Sequence, residues 1–322
     1  MIAAAVAATA AFACRPEPGL GTVTLQRRGA LHAIDLTTCR ERVKPGQLSG
    51  ASELRSPRGT FDATVRTSGH GKTAKQTIWI TNRRTGESHP VFSETQYYRS
   101  IGPGETPGPI MLRGWSGDER WIFFFIDPGG SGSIAADGLT LRVVSINGGP
   151  ASKLATMLLY PDYLAWCANK VVFTAGFDRI ATNRKRLLIA APPLWKPMLL
   201  VNAPARAWGS LVCSPKGRWL VVQSQRQSDK PRFFATHWAL WRVGLDGSLA
   251  RLTAPPPGAA DESPRFSRNG NALLFVRMHQ GNGYLYALRN GRTSGPLLFL
   301  GNSIGYYGHH DWWQTASWSL AR

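Results

Sequence analysis

Asp261-Glu262-Ser263-Pro264-Arg265-Phe266-Ser267-Arg268-Asn269-Gly270, followed by the apolar run Ala272-Leu273-Leu274-Phe275-Val276, is the stretch that decides the fold of this 322-residue chain. A polar turn ending in Asn-Gly between two strand-like segments reads as a tight strand-to-strand connection. A polar stretch with Gly281 and Gly283 comes next, then the alternating Tyr284-Leu285-Tyr286-Ala287-Leu288 and a turn at Asn290-Gly291. The unit is therefore strand, tight turn, buried strand, loop, alternating strand, turn.

The same succession recurs along the chain. Ser214-Pro215-Lys216-Gly217 precedes Trp219-Leu220-Val221-Val222, and Ser56-Pro57-Arg58-Gly59 precedes Thr77-Ile78-Trp79-Ile80. Trp115-Ser116-Gly117-Asp118 precedes Trp121-Ile122-Phe123-Phe124-Phe125, and a weaker copy starts at Trp166-Cys167-Ala168-Asn169. With Ser56, Ser116, Cys167, Ser214, Ser267 and Ser319 as equivalents, the spacings are 60, 51, 47, 53 and 52 residues. A module of this size cannot bury both faces of its own sheet, so the copies must stack on one another as propeller blades do. Ala316-Ser317-Trp318-Ser319 supplies only the first strand of a sixth copy, and residues 21–45 supply the strands it lacks. The expectation is an all-β, six-bladed β-propeller of four-stranded antiparallel blades over residues 21–322, closed by pairing N- and C-terminal strands in one blade. Pairing them hides the edges that an open array would expose.

These residues resemble the TolB-type, WD40-like propeller repeats, in which Pro-x-Trp-Ser-Pro-Asp-Gly is followed by an aliphatic strand and a later aromatic one. The resemblance covers the chain from about Gly21 and speaks for architecture. Arg58, Lys216 and Asn269 stand where the family's turn aspartate falls, although Asp118 remains, so a ring of cation sites is not implied.

Composition agrees with a folded β protein: 43% of residues are hydrophobic and 18% charged, with 34 Gly and 22 Pro to punctuate the chain. No apolar run approaches the ~20 residues of a membrane-spanning helix, which excludes a polytopic membrane protein. Thirty-eight Lys and Arg against 19 Asp and Glu give a formal charge of +19. Such a charge suits an anionic partner, or it is spread as a solvating coat. Met1 to Ala13, an apolar stretch ending Ala11-Phe12-Ala13, reads as an export signal without a basic start, and Cys14 admits a lipoprotein reading. An extracytoplasmic location follows, and it argues against nucleic acid as the partner. The four cysteines lack C-x-x-C spacing, so no metal and no cofactor is expected. They are either four buried thiols or two disulfides, and in the propeller arrangement Cys167 would pair with Cys213.

In a propeller the Ser-Pro-x-Gly turns share one face. The loops after the second strands and the links between blades share the other. That long-loop face collects the candidate ligand-binding residues Lys72, Lys75, Arg99, Arg184, Lys185, Arg186, Arg206, Trp208, Arg226, Lys230 and Arg232. At the channel mouth the expected cluster is Asp162, Tyr163, Asp261, Glu262, His309, His310, Asp311 and Trp312. Gly71-Lys72-Thr73 lacks the first glycine and the helix of a phosphate loop, and no Gly-x-Ser-x-Gly elbow is present. No catalytic residue is assigned. The reading is a monomeric, non-catalytic binding scaffold that recognises a protein or an anionic envelope polymer. The alternative is a propeller-type hydrolase or lyase acting at the channel mouth.

Overall fold

The recurring serine explains why each module turns where it does. Ser56 Oγ accepts the Phe61 amide at 2.9 Å, Ser116 Oγ that of Trp121 at 3.0 Å, Ser214 Oγ that of Trp219 at 3.3 Å and Ser267 Oγ that of Ala272 at 2.9 Å. Each serine thus ties the start of its turn to the start of the next strand. The turn's fourth residue needs a left-handed backbone, which Gly59 (φ 75°) and Gly217 (φ 67°) supply without strain and Glu119 (φ 63°) supplies in the second module.

The computed structural model describes residues 14–46, 54–70, 74–95, 97–99, 105–107, 109–127, 136–230, 237–267, 270–303, 305–314 and 316–319. The chain opens with β1 (Thr22–Arg27), β2 (Ala30–Asp35) and β3 (Glu41–Pro45). The first blade is β4 (Leu54–Arg55), β5 (Phe61–Ser68), β6 (Lys75–Asn82) and β7 (Ser88–Glu94). A hairpin of β8 (Tyr97–Arg99) and β9 (Glu105–Pro107) links it to the second blade, β10 (Ile110–Trp115), β11 (Trp121–Ile126), β12 (Leu139–Ser145) and β13 (Ser152–Met157). The third is β14 (Leu164–Cys167), β15 (Lys170–Ala175), β16 (Arg186–Ala190) and β17 (Met198–Leu199). The fourth is β18 (Arg206–Cys213), β19 (Trp219–Arg226), β20 (Ala239–Gly244) and β21 (Leu249–Arg251). The fifth is β22 (Ala259–Phe266), β23 (Leu273–His279), β24 (Asn282–Arg289) and β25 (Arg292–Asn302), and β26 (Ala316–Ser319) ends the chain.

Every blade is a four-stranded antiparallel meander, and the sixth has the order β26-β1-β2-β3, with Thr22 opposite Ser319 and Leu25 opposite Ala316. Both ends of the chain therefore share one sheet. This is the architecture of a six-bladed propeller. In the second to fifth blades the second strands are buried on both faces, which is why they read as apolar runs: Ile122 and Phe124 face the first blade, Phe123 and Phe125 the third. Apolar cores lie between the first and second blades, and so on in turn to the fifth and sixth.

Two disulfides join Cys14 to Cys39 and Cys167 to Cys213. The second ties the inner strands of the third and fourth blades inside their shared core. Two local expectations differ. Met278 to Gly283 is no long loop but a hairpin turned at Gln280-Gly281, and Asp261 and Glu262 lie within β22 rather than in a link between blades.

Candidate functional site: an arginine-lined groove and a strapped channel

Strand direction places the starts of first and third strands and the ends of second strands at the long-loop face. Lys75, Arg186, Arg206 and Arg226 occupy those positions, and Lys230 lies just beyond. Lys75, Arg184, Arg186, Arg226 and Lys230 are exposed. Arg99 lies in the β8–β9 hairpin, whereas Lys72 and Arg232 fall outside the described residues.

Lys185 is the exception. It is fully buried, and its Nζ donates to the carbonyls of Asp178 at 2.5 Å, Ile180 at 3.0 Å and Asn183 at 3.0 Å. Alternation along the chain turns Arg184 and Arg186 outward and Lys185 inward, where it knots the loop between β15 and β16. Burial lowers its pKa to about 8. It offers no surface to a ligand.

Above the apolar core shared by the third and fourth blades the long-loop face opens into a groove of about 440 Å³. Arg184, Arg186 and Arg206 line it together with Phe177, Leu199 and Trp208, and no carboxylate is among its lining residues. Arg206 is held in place: its Nε donates to Ser224 Oγ at 2.9 Å and its guanidinium lies 4.2 Å over the Trp241 ring. Burial, and after it the neighbouring Arg251, push its pKa below the ordinary value. The two walls are stitched to each other. Gln227 accepts from the Arg184 amide at 3.2 Å and donates to the Pro204 carbonyl, while the Ser228 amide donates to Thr182 O at 2.9 Å. Trp208 itself is buried and forms part of the floor.

A larger cavity, about 890 Å³, lies on the opposite, Ser-Pro-x-Gly face between the fourth and fifth blades. It too is basic, with Lys216, Arg218 and Arg242, but it contains the Asp246 carboxylate and the ring of Trp219 is covered by Arg242 at 4.7 Å. Basic residues are thus not confined to the long-loop face. What distinguishes the long-loop groove is the absence of any acid.

Of the eight residues expected at the channel mouth, Asp162, Tyr163, Glu262, His309, His310, Asp311 and Trp312 lie beside one another, though not as an open mouth, whereas Asp261 turns to Arg277 on β23. Inner strands β10, β18 and β22 each carry a bulge, at Arg113, Gly209-Ser210 and Ser263-Pro264, and bulges re-aim side chains. Ser210 Oγ donates to Asp162 Oδ2 at 2.5 Å, and His309 Nε2 lies 3.4 Å from Asp162 Oδ1. The His309 ring stacks on Tyr160 at 3.8 Å and meets Tyr163 edge-on at 5.2 Å. Glu262 Oε1 accepts a hydrogen bond from Trp312 Nε1 at 3.0 Å and lies 3.0 Å from His310 Nδ1. Asp261 forms a two-pronged ion pair with Arg277, at 2.6 and 2.8 Å.

These contacts belong to a strap. Residues 305–314, between β25 and β26, are held to the fifth blade through Glu262 and Ser263 and to the third through Tyr160, Asp162 and Ala181, whose amide donates to Tyr307 O at 2.8 Å. The segment therefore crosses the inner ends of the blades and covers the channel. Burial lowers the pKa of His309 to about 4, so it is neutral at pH 7. Burial raises that of Asp162 to about 6, opposed by the Ser210 hydrogen bond. Asp311 is half-buried beside Arg113 and Arg265, and Arg265 stacks on Trp313 at 4.9 Å. Sequence reading missed Arg113, Arg265 and the strap itself; the one available signal was the length of the link before β26.

Among the described residues no group of three or more His, Cys, Asp or Glu is placed to hold a metal ion, and no helix is long and apolar enough to cross a membrane. No family model and no curated protein matches the sequence. Solved structures similar in shape include the TolB candidate from Agrobacterium tumefaciens, 14% identical over 90% of this chain and 93% of that one, with a TM-score of 0.48. TolB from Acinetobacter baumannii is 13% identical over 88% and 64%, with a TM-score of 0.47. An oligogalacturonate lyase in complex with manganese is 14% identical over 83% and 73%, with a TM-score of 0.43. Likeness at this level carries no inference about activity, and the propeller assignment rests on the six sheets and their strand order.

Proposed function

We propose that the protein is a non-catalytic, extracytoplasmic binding scaffold that takes an anionic partner, a protein or an envelope polymer, on its long-loop face. Arg184, Arg186 and Arg206 form the centre of that surface, with Arg226, Lys230 and Lys75 around it. The carrying observation is the groove that Arg184, Arg186 and Arg206 line with no carboxylate among its lining residues, its walls already joined by Gln227. Arginine presents a planar fork to carboxylates and keeps its charge at all accessible pH. A groove fixed before the partner arrives spends less conformational entropy on binding. Two disulfides support an oxidising compartment.

Charge reversal tests this reading. Capture of polyglutamate or polygalacturonate by the full chain, read at low and high salt, should fall at least about tenfold in the triple variant R184E/R186E/R206E and lose its salt dependence. Unchanged capture would falsify the electrostatic assignment. A second reading, a hydrolase or lyase at the channel mouth, is favoured by the approach of Asp162 to His309 and of Glu262 to His310. Under the scaffold reading D162N and E262Q alter stability alone. A turnover that the purified protein shows and D162N abolishes would favour the enzyme.

A further inference from the structure

We infer that the groove between the third and fourth blades receives an extended segment of a partner protein in which carboxylate side chains stand next to apolar ones. This rests on the reading of the long-loop face as an anion-binding surface and adds the chemical class of the partner.

The cations of the groove ask for carboxylates; the rest of its lining asks for something else. Phe177, Leu199, Val201, Ala203 and Pro204 present hydrocarbon, and the polar side chains besides the arginines are the two amides of Asn202 and Gln227, the latter already engaged with Arg184 and Pro204. A sugar-acid polymer would press its hydroxyls against that hydrocarbon, where a group stripped of water without a partner weakens binding. Apolar side chains between carboxylates meet no such cost.

The surface around the groove has the same double character. Seven large apolar side chains are conspicuously exposed among the described residues, and three of them lie on the groove side of the third blade: Phe177 at 67%, Met198 at 62% and Leu199 at 46%, whereas Leu194 stands at the opposite end of that blade, in the link from β16 to β17. Phe177 and Leu199 also line the groove, so hydrocarbon and guanidinium groups form one surface. Apolar exposure gathered at one place marks an interaction site.

The outer strand at this rim is apolar too. Outer strand β3 carries Glu41, Arg42, Lys44 and Pro45, whereas the two-residue β17 is Met198-Leu199, both exposed at the edge of their sheet. An extended segment laid along this edge meets hydrocarbon from these two side chains, the mode in which alternate side chains supply choice. The charge of +19 completes the match with an acidic segment.

The test uses the full chain and three fluorescein-labelled probes: a peptide alternating Glu with Leu, a peptide of equal length and charge alternating Glu with Ser, and polygalacturonate. Fluorescence anisotropy should show the Glu-Leu peptide binding about tenfold more tightly than the Glu-Ser peptide. M198S/L199S should erase that margin, the two peptides then binding alike, with a cooperative thermal melt showing that the variant is folded. Equal affinity of the two peptides, a margin that survives M198S/L199S, or tighter binding of polygalacturonate than of the Glu-Leu peptide overturns the protein-segment inference while the anionic face stands. Indifference of all three probes to R184E/R186E/R206E overturns the face itself.

Discussion

Arg184-Lys185-Arg186 looks in sequence like a single basic patch, yet its middle residue does opposite work from its neighbours. Three backbone carbonyls surround the Lys185 ammonium, and burial brings its pKa from 10.5 to about 8. The unfolded chain holds this proton more tightly, so between pH 8 and 10.5 it binds more protons than the folded one, and stability attributable to Lys185 rises with pH over that window. Chemical denaturation should show wild type gaining up to ~3 kcal/mol on K185M across it. A parallel course of the two curves would mean that Lys185 titrates normally. The charge of the patch was legible in the sequence. Its division into two exposed arginines and one buried lysine was not, because the alternation that decides it depends on where β16 begins.

At the level of elements, the serine turns and the doubly buried second strands were legible, since each repeats with its own chemistry. The strap was not, because nothing repeats in it. Its seat depends on one glycine: a Cβ at Gly283 would lie 2.4 Å from the Trp312 ring, which β24 must let approach for its Nε1 to reach Glu262. G283A should therefore displace Trp312, lower stability by ~1 to 3 kcal/mol and shift tryptophan emission to the red. Unchanged emission would show that the ring can move aside without leaving its pocket. The channel-mouth residues illustrate the general difficulty. Sequence brought Asp162, Glu262, His309 and His310 to one region because topology dictates it, but whether they face solvent or one another is decided by a link whose path no periodicity fixes.

In the molecule as a whole, the described apolar cores join consecutive blades from the first to the sixth, and among the described residues none joins the sixth to the first. Strand alternation shows why. With Val23 and Leu25 turned to the fifth blade, Thr22, Thr24 and Gln26 face the other way with Leu31 and Ala33, and with Ala63, Ile78 and Ile80 turned to the second, Asp62, Thr64, Thr77 and Thr81 do likewise with Trp79, so these faces are mainly polar. Hydrogen exchange should accordingly be faster in β1, β2, β5 and β6 than in β15, β19 and β23; uniform protection around the ring would show the polar seam to be as firm as the apolar ones. The seam lies beside the sheet that holds both chain ends, and this bears on biosynthesis. Because β1 finds its inner neighbour only in Ala316–Ser319, a ribosome that has delivered five complete blades still carries a nascent chain with one bare strand edge. A chain lacking Ala316–Ser319 would be not a slightly shortened propeller but one whose β1 never meets its inner neighbour, a natural client for chaperones and proteases.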